Sequence, residues 1–154
     1  MSLKEQISSD IKKALKAGEK ERLSVLRMVN SRVLEKEVEL RTSKGRDYKL
    51  NDDEVIDVIT SYAKQRRQSI ESYRSGGRED LAAKEEMELE ILQDYLPAQL
   101  SEEEVSRIID EAIAETGASS PKDMGTVMRV VMPRLKGASD GKVVNALVRQ
   151  KLSS

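Results

Sequence analysis

Apolar residues recur every three or four positions along most of this chain, and polar residues with capping spacing precede several of the periodic stretches. Three pairs have the spacing of a capping box, in which two side chains satisfy the first backbone N–H groups of a helix: Ser2 with Glu5, Asn51 with Glu54, and Ser101 with Glu104. No alternating pattern typical of a β-strand has a useful length. Only three prolines interrupt the 154 residues. The sequence therefore predicts an all-α fold with seven helices.

The predicted helices divide into two groups at Pro97. A proline disfavours helical geometry in the residue before it, so the fourth helix is expected to end by Leu96. Four longer helices precede this point and three shorter ones follow it. We predict an N-terminal helical bundle over residues 1–97 and a C-terminal three-helix domain over residues 98–154, a size at which some domains fold alone.

The composition excludes several kinds of catalytic site. The chain has no histidine and no cysteine, so it cannot supply an imidazole base, a thiolate nucleophile or a Cys/His zinc site. No acidic cluster has the spacing of a calcium loop, and no glycine-rich loop follows a strand to hold phosphate. We therefore predict no catalytic residues, no metal site and no cofactor.

The sequence shows neither a membrane-spanning stretch nor a signal peptide. No apolar stretch approaches the roughly 18 residues needed to cross a bilayer. The first residues lack the apolar core of a signal peptide. These observations predict a cytoplasmic protein without a membrane partner.

Charge is unevenly distributed, although the net charge is only −1. Residues 98–121 contain six acids and one base, whereas residues 122–154 contain seven bases and two acids. On a helix, Lys122 shares a side with Arg129, and Lys142 shares one with Arg149. Phosphate backbones favour such surfaces because each contact releases condensed counterions. The candidate RNA-binding residues are Lys122, Arg129, Arg134, Lys136, Lys142 and Arg149; the alternative is a solvated face without a partner.

The kind of nucleic acid can be narrowed from the aromatic content. The only aromatic residues are four tyrosines, which is little material for stacking a run of unpaired bases. Recognition of a folded RNA through its shape and backbone is therefore the favoured mode.

One basic residue of the third predicted helix falls within an apolar stripe. Arg66 lies between Tyr62 and Ile70 on that stripe, and Glu85 and Glu88 interrupt the stripe of the fourth helix in the same way. If the two helices form an antiparallel hairpin, these positions meet. We predict a partly buried pair between Arg66 and Glu85 or Glu88, because an unpaired buried charge would be costly.

Three segments together resemble a known family. They are residues 64–81, with Lys-Gln-Arg-Arg-Gln-Ser and Arg-Glu-Asp-Leu; residues 95–101, with Tyr-Leu-Pro-Ala-Gln-Leu-Ser; and the series formed by Asp-Met-Gly, Val-Met, Lys-Gly and Asp-Gly in residues 123–141. This pattern resembles the YqeY family over essentially the whole chain. That family is similar to the C-terminal tail of GatB, a component of the glutamine-dependent aminoacyl-tRNA amidotransferase.

The resemblance implies two helical domains and a non-catalytic accessory module that contacts tRNA. The implied partners are tRNA and components of an aminoacyl-tRNA amidotransferase or synthetase. The carbon–nitrogen ligase activity, with glutamine as amido-N donor, would belong to the complex that this chain assists. Lys136 is the motif residue implied to contact RNA, whereas the remaining motif residues are implied to be structural: Pro97, Met124, Gly125, Val127, Met128, Gly137, Asp140 and Gly141.

An alternative function uses the N-terminal helices. Arg67, Arg74 and Arg78 would form the polar rim of a surface that binds another protein. Such an adaptor would retain its partner in high salt and after nuclease treatment, which distinguishes it from an RNA-binding module.

Overall fold

The computed structural model describes residues 1–153, and within that range it contains seven α-helices and no β-strand. The all-α prediction is confirmed. The helices are α1 (Leu3–Ala17), α2 (Lys20–Lys44), α3 (Asp52–Ser75), α4 (Glu79–Gln93), α5 (Glu102–Thr116), α6 (Met124–Leu135) and α7 (Gly141–Leu152). They form two compact units, Met1–Leu96 and Pro97–Ser154. No helix in the described range is long and apolar enough to span a membrane.

Local capping explains where several helices begin and end. The capping boxes expected at the starts of α1, α3 and α5 are all present, with both reciprocal hydrogen bonds formed. Gly18 ends α1 and Gly117 ends α5, each in the left-handed backbone conformation that a residue without a Cβ adopts at little cost. These features depend on residues close in sequence, which is why they could be predicted.

The N-terminal unit consists of α1–α4. Helices α3 and α4 pack against each other as a hairpin, and α1 packs along α2. Their inner faces enclose an apolar core that includes Leu26, Val55, Ile59 and Leu92. This core fixes the relative positions of the charged side chains that project from the four helices.

A buried carboxylate lies at the edge of this core. Glu37 of α2 is only 2% exposed and accepts hydrogen bonds from the ammonium of Lys4 and from the backbone N–H of Leu50 at 3.1 Å. Arg41 is 4.0 Å away. Glu37 therefore connects α1, α2 and the segment that leads into α3.

Tyr95 forms a second polar connection within the same unit. Its hydroxyl donates to Asp10 of α1 at 2.5 Å and accepts from Arg22 of α2 at 3.2 Å. Burial and the hydrogen bond to Asp10 raise the pKa of Tyr95 well above its usual value. The last residues of the unit are thus attached to its first two helices.

The C-terminal unit consists of α5, α6 and α7 around one apolar core. Val131 of α6 and Val148 of α7 pack with Ile109 of α5 in its centre. A proline inside a helix is expected to end or kink it, yet α6 continues past Pro133 to Leu135. Pro133 removes one backbone N–H donor from the helix, and α6 still runs on for two further residues.

Candidate functional site

The candidate site is formed by α6, α7 and the turn before α6. Ser120 and Asp123 form a capping box around a one-turn 3-10 helix, Pro121–Asp123, from which α6 continues. Asp140 accepts a hydrogen bond from the backbone N–H of Lys142 at 2.9 Å and so begins α7. Both helices bury most of their apolar residues against each other and against α5, whereas Met132 and Val143 stay exposed.

Four basic residues share the side of this unit that faces away from α5. Lys122 is exposed just before α6, and Arg129 is exposed on α6. Lys142 and Arg149 are exposed on α7. Each pair is seven residues apart, which returns to nearly the same side of a helix. No carboxylate of residues 1–153 lies within ion-pair distance of these four groups. We call these four residues the cationic face.

Two other basic residues point toward α5 instead. Arg134 donates to Glu115 at 2.8 Å, and Lys151 donates to Asp110 at the same distance. Arg134 is five residues after Arg129, a rotation of about 140° around the helix. The hydrogen bond and charge of Glu115 raise the pKa of Arg134. Arg134 was a candidate RNA contact, but it lies apart from the cationic face and forms an exposed ion pair with Glu115.

Lys136 follows α6 and is half-buried. It takes part in a polar or electrostatic interaction of its own, so we do not count it in the cationic face.

Most of the other motif residues have a structural role. Val127 is buried and Met124 and Met128 are partly buried in the core of the unit. Gly137 has a φ of +75°, a left-handed conformation that favours glycine. Asp140 caps α7. Pro97 is the first residue of the unit. Gly125 and Gly141 differ from these residues because both are exposed within helices.

Arg66 occupies a partly buried site between α3 and α4. Its guanidinium donates to Glu85 at 2.5 Å and lies 3.4 Å from Glu88. It also lies 5.1 Å from the centre of the Tyr62 ring. Burial and repulsion by Glu85 raise the pKa of Glu88. One terminal nitrogen of Arg66 pairs with both carboxylates inside the hairpin, whereas its buried Nε has no hydrogen-bond partner within the described residues. The pairing indicates a structural role.

The polar rim expected for a protein adaptor is largely used internally. Arg74 forms ion pairs with Glu79 and Glu86, and Arg78 pairs with Asp80. Arg67 has no ion-pair partner within the described part of the chain. Two of the three arginines are therefore paired within the hairpin and offer less charge to a partner.

A groove of about 580 Å³ lies between α2 and α3 in the N-terminal unit. Its lining mixes acids such as Glu35 and Glu39 with bases such as Arg32 and Lys36. Across residues 1–153 there is no group of three or more acidic side chains placed to hold a metal ion. The groove thus has no single charge sign that would select an ionic ligand.

The fold and the site define a class: all-α proteins with a helical N-terminal unit and a small C-terminal unit that carries a one-sided cationic surface. The sequence profile of the family described as Yqey-like protein matches residues 4–152. The chain belongs to this family, as its motifs indicated.

Curated relatives are similar over different lengths. Altered inheritance of mitochondria protein 41, mitochondrial, from Pyrenophora tritici-repentis is 27% identical over 94% of this chain and 78% of its own length. The protein of the same name from Eremothecium gossypii is 30% identical over 60% of this chain and 48% of its own length. A glutamyl-tRNA(Gln) amidotransferase polypeptide from Thermococcus gammatolerans is 46% identical over 57 residues, which is 34% of this chain and 9% of that polypeptide.

The names of these relatives contradict the cytoplasmic location expected from the sequence. The prediction of a cytoplasmic protein is wrong by this comparison, because the curated relatives aligned over most of the chain are named as mitochondrial proteins. The prediction depended on the missing signal-peptide core and the missing membrane span. Neither observation distinguishes the cytoplasm from the interior of an organelle.

Proposed function

We propose that this protein is a non-catalytic accessory module whose C-terminal unit binds folded RNA through the cationic face. The observation that carries the proposal is the presence of four exposed cations on one side of the unit, none of them neutralised by a carboxylate of residues 1–153. Basic groups without internal partners can exchange their counterions for RNA phosphates, and that exchange drives binding.

Transfer RNA is the folded RNA that we propose as the ligand. The amidotransferase polypeptide to which part of this chain is similar is named for glutamyl-tRNA(Gln). A module of this kind would hold a tRNA, or a tRNA bound to its enzyme, while the chemistry takes place on another polypeptide. The partners proposed on this basis are tRNA and components of an amidotransferase or a synthetase.

The arrangement of α5 supports a one-sided mode of docking. This helix exposes acids along its length, including Glu102, Glu103 and Glu111, and a phosphate backbone is repelled by them. It also neutralises Arg134 and Lys151 at its borders with α6 and α7. RNA is therefore attracted to the side of the unit formed by α6 and α7.

The test replaces all four residues of the cationic face by glutamine and measures tRNA binding by fluorescence anisotropy at several salt concentrations. With four phosphate contacts, log K of the unaltered protein should fall with log salt at a slope of about −3 to −4. The quadruple variant should bind roughly 1,000-fold more weakly at 0.1 M salt, with a nearly flat salt dependence.

A matched control removes four exposed cations from the N-terminal unit by replacing Lys12, Lys13, Lys16 and Arg27 with glutamine. This change lowers the net charge by the same amount, so it shows how much of the loss follows from net charge and how much from the position of the charges. Failure of the unaltered protein to bind tRNA would contradict the proposal. Equal losses in the two quadruple variants would show that the cationic face is not the contact surface.

The adaptor function is the second candidate, and apolar exposure on α2 favours it. Leu34 is 48% exposed and Val38 is 60% exposed, one turn apart on the same side of the helix. Affinity capture with and without nuclease separates the two functions. A protein partner retained after nuclease treatment, and lost when Leu34 and Val38 are both replaced by serine, would support the adaptor.

A further inference from the structure

Two glycines of the C-terminal unit are not required by its backbone. Five of the eight glycines have positive φ values that other residues rarely adopt. Gly125 and Gly141 are not among them, because they lie in the first turns of α6 and α7. A helix is less stable with glycine than with alanine at an interior position, because glycine loses more conformational freedom on folding. Their presence therefore needs a different explanation.

Packing does not explain them either. A Cβ atom added at Gly125 would meet no other atom within 4 Å. A Cβ atom added at Gly141 would meet only the methyl group of Met132, at 3.9 Å, which is an ordinary van der Waals contact. The protein could therefore accept an alanine at either position without moving a neighbour.

Gly125 lies on the side that carries the cationic face, and Gly141 is exposed at the border of that side, beside Met132. On α6, Gly125 is one turn before Arg129 and two turns before Met132, so the three residues form one stripe. On α7, Gly141 is the first residue, next to Lys142, and lies about 80° around the helix from Arg149. The stripe of α6 reaches α7 where Met132, which is 38% exposed, approaches Gly141. The surface between the cations therefore has exposed helix backbone at two points.

We propose that Gly125 and Gly141 allow the RNA backbone to approach α6 and α7 closely enough for its phosphates to reach the flanking cations. This inference rests on the proposed function and identifies positioning residues within the same surface. A Cβ atom extends about 1.5 Å from the helix backbone. Charge-assisted hydrogen bonds require distances of about 2.7–2.9 Å, so a displacement of that size would weaken the contacts beside each glycine.

The experiment substitutes Gly125→Ala, Gly125→Leu and Gly141→Ala separately. Each protein is tested for thermal stability and for tRNA binding across a salt series. Gly76→Ala in the N-terminal unit is the matched control, because its Cβ would meet only backbone carbonyls at ordinary contact distances, 3.5 and 3.7 Å. None of these substitutions changes the charge of the protein.

We expect the alanine variants to melt about 2–6 °C higher, because alanine reduces the freedom of the unfolded chain. They should nevertheless bind tRNA roughly 10-fold more weakly, and Gly125→Leu should bind more weakly still. The salt slope should stay unchanged because all four cations remain. Gly76→Ala should leave tRNA binding as it is.

Two results would overturn the inference while leaving the proposed function intact. One is unaltered tRNA affinity in the Gly125 and Gly141 variants of a protein that binds tRNA. The other is a lower melting temperature in these variants, which would show that the glycines are needed for folding. A protein that binds no tRNA before any substitution would contradict both proposals.

Discussion

Replacement of Lys4 by methionine should destabilise the N-terminal unit, because it removes the cation that neutralises a buried carboxylate. Glu37 is 2% exposed, whereas the Lys4 side chain is 26% exposed. Breaking a fully buried ion pair costs about 3–5 kcal/mol. Here Glu37 keeps its hydrogen bond from Leu50 and the charge of Arg41 at 4.0 Å, and water can approach the vacated position. We therefore expect a loss of about 2 kcal/mol.

This loss should depend on pH. Burial by itself raises the pKa of Glu37, but the hydrogen bonds from Lys4 and the Leu50 N–H outweigh it and lower the pKa below the usual value. A carboxyl group with a lowered folded-state pKa stabilises the protein above its unfolded pKa, about 4.3. That contribution disappears as the pH falls through the folded-state pKa. The difference between the variant and the unaltered protein should therefore shrink below about pH 4.

Differential scanning calorimetry at pH 7 and at pH 3.5 measures both effects. For a unit of this size, 2 kcal/mol corresponds to a decrease of roughly 8–16 °C in the melting temperature. Lys13→Met is the matched control, since Lys13 is exposed on α1. A decrease of less than about 2 °C at pH 7, or an equal decrease at the two pH values, would refute the assignment of Glu37 as an ionised buried partner.

Two further substitutions examine the other polar clusters of the N-terminal unit. Arg66→Met should lower the free energy of unfolding by about 2 kcal/mol at pH 8, because Glu85 and Glu88 then repel each other. The loss should be smaller at pH 5, where a proton on Glu88 relieves the repulsion. Urea denaturation at the two pH values measures the loss, and a larger loss at pH 5 would contradict the reasoning. In the same assay, Tyr95→Phe should lower the free energy of unfolding by about 1–2 kcal/mol, because the hydrogen bonds to side chains of α1 and α2 are lost. Tyr73→Phe is the control and should have little effect, since Tyr73 is half-buried. Equal losses would count against the assigned role of Tyr95.

The helices could be predicted because their signals are local. The capping boxes that begin α1, α3 and α5 use residues three positions apart, and the apolar stripes repeat within a single helix. The end of α6 was less predictable. Pro133 is a strong helix-ending signal when considered alone, but α6 continues for two residues beyond it.

Contacts between distant parts of the chain were harder to predict. Glu37 and Val38 both follow the buried Val33 by about one helical turn, yet Glu37 is buried and Val38 is 60% exposed. Hydrophobicity alone would favour the opposite arrangement. Glu37 is buried because Lys4, 33 residues away, and the backbone of Leu50 satisfy its carboxylate. No pattern within α2 contains that information.

Contacts between distant parts of the chain also change the expected salt dependence of RNA binding. Residues 122–154 contain seven basic residues, and seven phosphate contacts would produce a salt slope of about −5 to −6. In the folded unit, Arg134 and Lys151 form ion pairs with carboxylates of α5, and Lys136 has another interaction. Four cations remain, and they predict a slope of about −3 to −4. A measured slope near −6 would mean that RNA displaces the carboxylates of α5, so the cationic face would be larger in the complex than in the free protein.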